Sequence, residues 1–181
     1  MNFIDLCSGI GGFRLGMEAS GHTCVGFAEI DEFPRASYKA IHDTKGEWNR
    51  HDITQISDVE WRELRGKVDA ICAGFPCQSF SVAGKRLGFD ETRGTVFFEI
   101  ARAIKQIEPQ IVLLENVLGL LSHDSGGTFR TILNTLDELG YDVEWRVFNS
   151  KYFGVAHNRR RVFIVATPRG RDGRSGELLS I

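Results

Sequence analysis

Short apolar runs of four to six residues alternate, almost from end to end, with longer stretches whose apolar side chains recur every three or four positions. The runs at 3–7, 23–28, 68–73, 111–114, 143–148 and 162–167 read as strands, and a short third strand belongs before Asp52. Residues 12–19 and 32–42 read as helices, the second with Pro34 tolerated in its first turn. Val96, Phe97, Ile100, Ile104 and Ile107 share a helical spacing that Pro109 ends. Phe129, Ile132, Leu133, Leu136 and Leu139 mark a further helix, stopped by Gly140. Such alternation specifies an α/β fold, a mostly parallel sheet with helices on both faces. No helix of ordinary length fits between the last two strands, so that pair is expected to be antiparallel. Ligands of such sheets bind beyond the carboxyl ends of the strands.

A length of 181 residues, 42% of them hydrophobic, suits one compact domain. Residues 1–168 are read as that domain and residues 169–181 as a flexible tail. No apolar run approaches the roughly 20 residues needed to cross a bilayer, and the N-terminus lacks the pattern of a secretory signal. The expectation is a soluble, cytoplasmic protein. Cys7, Cys24, Cys72 and Cys77 form no CxxC pair and no zinc-binding spacing, so no metal is expected. The first three lie in apolar runs and read as small buried groups. The net charge of −2 hides an asymmetry, because residues 146–181 carry eight Lys/Arg against two acids. That split suits a face for a polyanion and, taken alone, equally a solvated surface.

The loops that follow the strands carry the chemistry. DLCSGIGGF, residues 5–13, places Gly9, Gly11 and Gly12 between the first strand and first helix, where backbone approaches a ligand closely. Glu29, at the tip of the second strand, stands where Rossmann-like folds hold a ribose hydroxyl pair. Asp52 and Ile53, after the third strand, offer a carboxylate for an exocyclic amine and an aliphatic side chain for a ring. The glycine spacing is not GxGxxG, which disfavours NAD. The three tips together point to an adenosine-containing cofactor.

GFPCQSFS, residues 74–81, puts Cys77 after Pro76 at the end of a strand, where a thiol is either inert or a nucleophile. The polar, glycine-containing segment 78–88 suits a lid. Glu115 ends the most apolar strand, where a carboxyl with a raised pKa holds a proton for a substrate ring nitrogen; it equally caps a following helix. In HNRRR, residues 157–161, alternation puts Arg159 and Arg161 on one face and Arg160 on the other. Two guanidiniums on one side hold a phosphate or a carbonyl; an arginine run also guards an exposed sheet edge.

From residue 3 to about 166 the sequence resembles the cytosine-C5 DNA methyltransferases. DLCSGIGGF resembles the family's S-adenosylmethionine loop, GFPCQSFS its nucleophile motif, Glu115-Asn116-Val117 its acid motif and HNRRR its QxRxR motif; GKRLGFDETRGTVFFEIAR also fits. The resemblance implies a Rossmann-like S-adenosylmethionine-dependent methyltransferase fold. It implies that Cys77 adds to cytosine C6, that Glu115 contacts N3 and the exocyclic amine, and that Arg161 with Arg159 holds the base carbonyl and local phosphate. For the cofactor it implies Cys7, Gly9, Ile10, Gly11, Gly12, Glu29, Ile30, Asp52, Ile53, Pro76 and Val96. For double-stranded DNA, with the target base flipped out, it implies Gln78, Ser79, Ser81, Lys85, Arg86 and Asn116.

Two positions depart from the pattern: His157 replaces the first glutamine of QxRxR, and Cys7 replaces an aromatic residue of the cofactor loop. The family's target-recognition region follows the QxRxR strand, and a later helix returns to complete the cofactor pocket. Here fifteen residues follow Ala166, so the resemblance implies a fragment or one subunit of a split enzyme, with a second polypeptide supplying the rest. A noncatalytic cofactor- or partner-binding remnant and an RNA cytosine methyltransferase remain the competing readings.

Overall fold

The structure, a computed structural model, describes residues 1–76 and 96–170. Seven strands form one sheet: β1 (Asn2–Leu6), β2 (Thr23–Ala28), β3 (Trp48–Arg50), β4 (Ala70–Gly74), β5 (Ile111–Val117), β6 (Tyr141–Asn149) and β7 (Arg160–Pro168). Their spatial order is β3-β2-β1-β4-β5-β7-β6. Neighbours from β3 to β5 are parallel, and β7 runs antiparallel between β5 and β6. The connection from β6 to β7, residues 150–159, is too short for a crossover helix, so the chain turns straight back.

The helices are α1 (Gly12–Ala19), α2 (Glu32–Ile41), α3 (Asp58–Glu63), α4 (Val96–Ile107) and α5 (Gly127–Glu138). The expected α/β architecture is the observed one, antiparallel final pair included. Pro109 follows α4, and Gly140, with φ +85°, follows α5. Sequence periodicity missed α3, whose six residues make fewer than two turns. Its signal was local: the Ser57 side chain accepts from the Glu60 backbone N–H at 3.2 Å, capping the first turn.

Alternation along the strands splits the apolar side chains unequally between the two faces. On one face Ile4, Leu6, Ile71, Ala73, Val112, Leu114 and Ile164 meet Phe97, Ile100, Ile104 and Ile107 of α4, all but excluded from water. Each such large side chain contributes about 1.5–3 kcal/mol relative to exposure. The other face has a much smaller centre: Phe3, Cys24, Ala70 and Cys72, with Phe13 and Met17 of α1 and half-buried Ile111 and Leu113 against it. One strongly packed face therefore fixes the strand tips rigidly along a single edge. Among the described residues no helix is long and apolar enough to cross a membrane.

Candidate active site

β1 ends at Leu6, and Cys7 leaves it in a left-handed turn, φ +52°, rather than continuing the strand. Gly9 and Gly11 follow at φ +57° and +93°, and the chain reverses into α1. A Cβ on Gly11 would lie 2.2 Å from His42 Nε2, so packing as well as backbone conformation demands glycine there. The reversal brings the Gly9 N–H to Glu29 Oε2 at 2.7 Å, while Oε1 accepts from the Asp31 N–H at 2.9 Å. Glu29 thus locks the tip of β2 to the glycine loop.

These tips enclose a cavity of about 370 Å³, within the size range of small-molecule sites. Cys7, Glu29, Ile30, Asp52, Ile53, Pro76 and Val96 all line it. Gly9, Ile10, Gly11 and Gly12 do not; they hold the loop behind Cys7 and Glu29. Sequence reasoning missed Ala28, His51, Thr54, Gly74 and Phe75, which complete the wall. Each neighbours a residue already singled out and has no distinctive chemistry of its own, His51 excepted. Asp52 Oδ1 accepts from the Thr54 N–H at 2.9 Å, fixing the carboxylate at the cavity rim. Burial first, then the charges of Glu29 and Asp5, push the Cys7 thiol up to about 12. It stays protonated near neutral pH and is a wall, not a nucleophile.

Beneath the glycine loop lies Asp5, wholly enclosed and with neither carboxylate oxygen hydrogen-bonded. Burial pushes its pKa well above the usual carboxylate range, opposed by the Arg14 backbone N–H, which stands near without completing a hydrogen bond, and by the Arg14 guanidinium, and reinforced by Glu29. Sequence reading took Asp5 only as the first letter of the loop motif; nothing in the sequence marks a carboxyl that folds inward.

β4 delivers its last residue, Gly74, opposite Glu115 of β5. The Glu115 Oε2 lies 3.5 Å from where a Gly74 Cβ would stand, so the carboxyl rests over the glycine. Its Oε1 receives Arg161 Nε at 2.8 Å from the neighbouring β7. Burial pushes the Glu115 pKa up, against the opposing charges of Arg161 and Arg159 and the hydrogen bond from Arg161. Arg161 thus contacts the acid directly and Arg159 adds its charge from just before β7, which begins only at Arg160. His157 contributes backbone: its carbonyl accepts from the Ser150 hydroxyl and from the Arg159 N–H.

Asn116 corrects the sequence reading. Expected at the DNA surface, it is 2% exposed. Its Nδ2 donates to the Phe75 carbonyl at 2.8 Å, and its Oδ1 accepts from the Val117 N–H at 2.8 Å. Neighbouring Glu115 and Asn116 point to opposite faces of β5, and Asn116 ties that strand to the exit of β4. It is a clamp inside the protein, out of reach of a duplex.

Cys77, Gln78, Ser79, Ser81, Lys85 and Arg86 lie outside the described residues. Pro76, the residue bonded to Cys77, lines the cavity. The Gly74-Phe75-Pro76 segment is thus the wall shared by the cavity and the Glu115 carboxyl.

A family model described as C-5 cytosine-specific DNA methylase matches residues 1–175. The chain is 48% identical over 167 residues to the Type II methyltransferase M1.ScrFI of Lactococcus lactis subsp. cremoris, covering 92% of this chain and 41% of that protein. It is 47% identical over 165 residues to the Type II methyltransferase M.HpaII of Haemophilus parainfluenzae, covering 90% and 45%. The chain thus spans less than half the length of these curated relatives. Among solved structures, a Spodoptera frugiperda DNMT2 mutant superposes with TM-score 0.74 at 23% identity, over 94% of this chain and 50% of that one. The S. pombe Dnmt2 methyltransferase gives TM-score 0.70 at 18% identity, over 95% and 51%. At these identities the structures speak for the fold alone, a methyltransferase fold.

Proposed function

The chain belongs to the C-5 cytosine-specific DNA methylase family, and on that premise we propose that it transfers a methyl group from S-adenosylmethionine to C5 of a flipped-out cytosine in DNA, through a covalent Cys77 adduct. The observation that carries this reading is the shared wall: Gly74 lines the cavity and also lies beneath Glu115. A cofactor in the cavity and a base on the acid would meet beside Pro76, to which Cys77 is bonded.

The cavity's donor set fits S-adenosylmethionine. Glu29 supplies a carboxylate for ribose hydroxyls, Asp52 an acceptor for an exocyclic amine, and Ile30 and Ile53 apolar surface for a purine ring. When bound, that cofactor supplies an electrophilic methyl group on a sulfonium. The residues of the chain do the remainder. The Cys77 thiolate pair forms the bond to C6, the C5–C6 π pair shifts toward C4, and Glu115 gives a proton to N3, which leaves C5 with enamine character. Arg161 and Arg159 hold the acid and the base carbonyl. Once C5 carries the methyl group, a base removes the C5 proton, the C5–C6 double bond reforms as the thiolate leaves, and N3 returns its proton to Glu115. Burial of the cytosine edge within a duplex requires flipping of the base.

A further polypeptide segment, on this chain's continuation or on a second subunit, completes the site. Support comes from apolar side chains around the cofactor end: Ile30 is 60% exposed, Phe33 85% and Ile10 56%. The lightly covered second face of the sheet, with half-buried Ile111 and Leu113, agrees.

The test is trapping. A 5-fluorocytosine DNA oligonucleotide with S-adenosylmethionine should give a covalent adduct that Cys77→Ser abolishes. An adduct that survives Cys77→Ser, or one formed with RNA and not DNA, would overturn the proposal. Absence of any adduct with DNA, whether the chain is alone or joined to a target-recognition segment, would also overturn it.

A further inference from the structure

Between residues 146 and 170 the chain carries six Lys/Arg and no Asp or Glu. Arg161 pairs with Glu115, and Arg169 with Asp137 and Asp142. Three others, Arg146, Lys151 and Arg160, line one groove of about 700 Å³ along the outer side of the β6–β7 hairpin. Asn149, Asn158 and Tyr152 share that wall, and no acidic side chain does.

The hairpin tip is exposed without being loose. Every residue from 151 to 160 is exposed, and Tyr152 reaches 75%. Yet the Ser150 N–H donates to the Arg159 carbonyl at 3.0 Å, and Asn149 Nδ2 donates to Asn158 Oδ1 at 2.7 Å. Phe153 packs edge-on to Phe148 at 5.8 Å between ring centroids, and Phe148 contacts Phe163 at 5.6 Å. Those rings fasten the tip to the sheet directly beside Glu115, whose partner across the ladder is Phe163. Lys151 stands over the Tyr152 ring at 4.7 Å, which orients its ammonium.

A preorganised groove with cations, amides and an aromatic ring, and with no acid in its wall, recognises a polyanion with a planar or sugar surface beside it. We propose that this groove docks the phosphodiester backbone of the DNA duplex flanking the target base. The inference rests on the nucleic-acid reading above and adds a contact surface outside the catalytic pocket. Continuity decides the partner: the same hairpin supplies Arg161 to Glu115, so a strand held at that acid continues toward the groove.

The experiment is fluorescence anisotropy with the full 181-residue chain and labelled duplexes of several sequences, across a salt series. Lys151→Gln with Arg160→Gln should weaken binding about tenfold for every sequence and reduce the slope of log K against log[salt] by nearly two. Lys67→Gln, an exposed charge before β4 at the opposite end of the strands, should change neither by more than half as much. All the substituted side chains are exposed, so an unchanged melting temperature checks the fold. Wild-type affinity and salt slope in the double variant would overturn the groove, as would no measurable duplex binding by the wild type. A variant defect seen with RNA and not with duplex DNA would overturn the choice of partner. If the double variant loses duplex affinity while 5-fluorocytosine trapping fails in every protein, the groove stands and the catalytic reading falls.

Discussion

Arg161 Nε meets Glu115 Oε1 at 2.8 Å across the antiparallel β5–β7 ladder, a cation set against the upward push that burial gives the acid's pKa. Burial raises the Glu115 pKa, and Arg161 and Arg159 pull it back. The proposed chemistry needs the proton on Glu115, so trapping should decline as pH rises through the folded-state pKa. Arg161→Gln removes an attraction that favours the carboxylate. Its declining limb should therefore move to higher pH, while the plateau rate falls because the acid has lost its orienting partner. Glu115→Gln should cost about 100-fold or more and abolish the limb. The pH profile of 5-fluorocytosine trapping reads all three proteins, and an alkaline limb that does not move in Arg161→Gln would remove Glu115 as its source.

The Asn116–Phe75 bond predicts a stability defect at a residue one position from the acid. Asn116→Leu leaves the buried Phe75 carbonyl without its side-chain donor and the Val117 N–H without its acceptor. Loss of partners to buried groups costs about 1–3 kcal/mol. Urea denaturation should show that loss, and binding of S-adenosylmethionine should weaken as well because Phe75 lines the cavity. An Asn116→Leu protein as stable as the wild type, yet weaker for DNA, would restore the surface reading.

Glu29 both lines the cavity and fixes the glycine loop. Glu29→Gln keeps the size and can still accept from the Gly9 or Asp31 N–H, yet it gives up the charge that strengthens those bonds. The expected result is about tenfold weaker S-adenosylmethionine binding, at roughly 1.4 kcal/mol per decade, with little change in melting temperature. Glu29→Ala should lose more, because both N–H groups lose their acceptor. Isothermal titration with S-adenosylmethionine and with adenosine separates the contributions, since the proposed contact is to the ribose and both ligands should weaken together.

Strands, long helices and the order of site motifs were legible because each repeats a period or a spacing. Short elements and inward turns were not. α3 escaped because its information sits in one capping serine, Ser57, rather than in a stripe. Gly11 read as backbone making way for a ligand, whereas the close neighbour is His42, a contact between distant segments. Asn116 read as a surface group because it follows Glu115, the proposed proton donor, in the motif. Strand alternation, applied one residue further, would have turned it inward. Cys7 read as the last strand residue, whereas the chain turns left-handed there and leaves it on the cavity wall.

Asp5 carries the last prediction, and alternation does not explain it, since Phe3, on the same face of β1, packs in apolar surroundings. Its carboxyl is buried without a hydrogen-bond partner and its pKa lies well above the usual range. The charged or titratable groups that bear on it are Arg14, Glu29, Cys7, Cys72 and Tyr38. Between the unfolded pKa, about 3.9, and the raised folded pKa, the native state binds the extra proton. Stability linked to Asp5 is therefore fully present below the unfolded pKa and lost as pH rises through the folded one. Asp5→Asn cannot ionise, so it should be more stable than the wild type near neutral pH, and its stability should vary less with pH above pH 4. Urea midpoints at several pH values check this. A variant whose stability falls with pH as steeply as the wild type would show that the proton linkage belongs to another group.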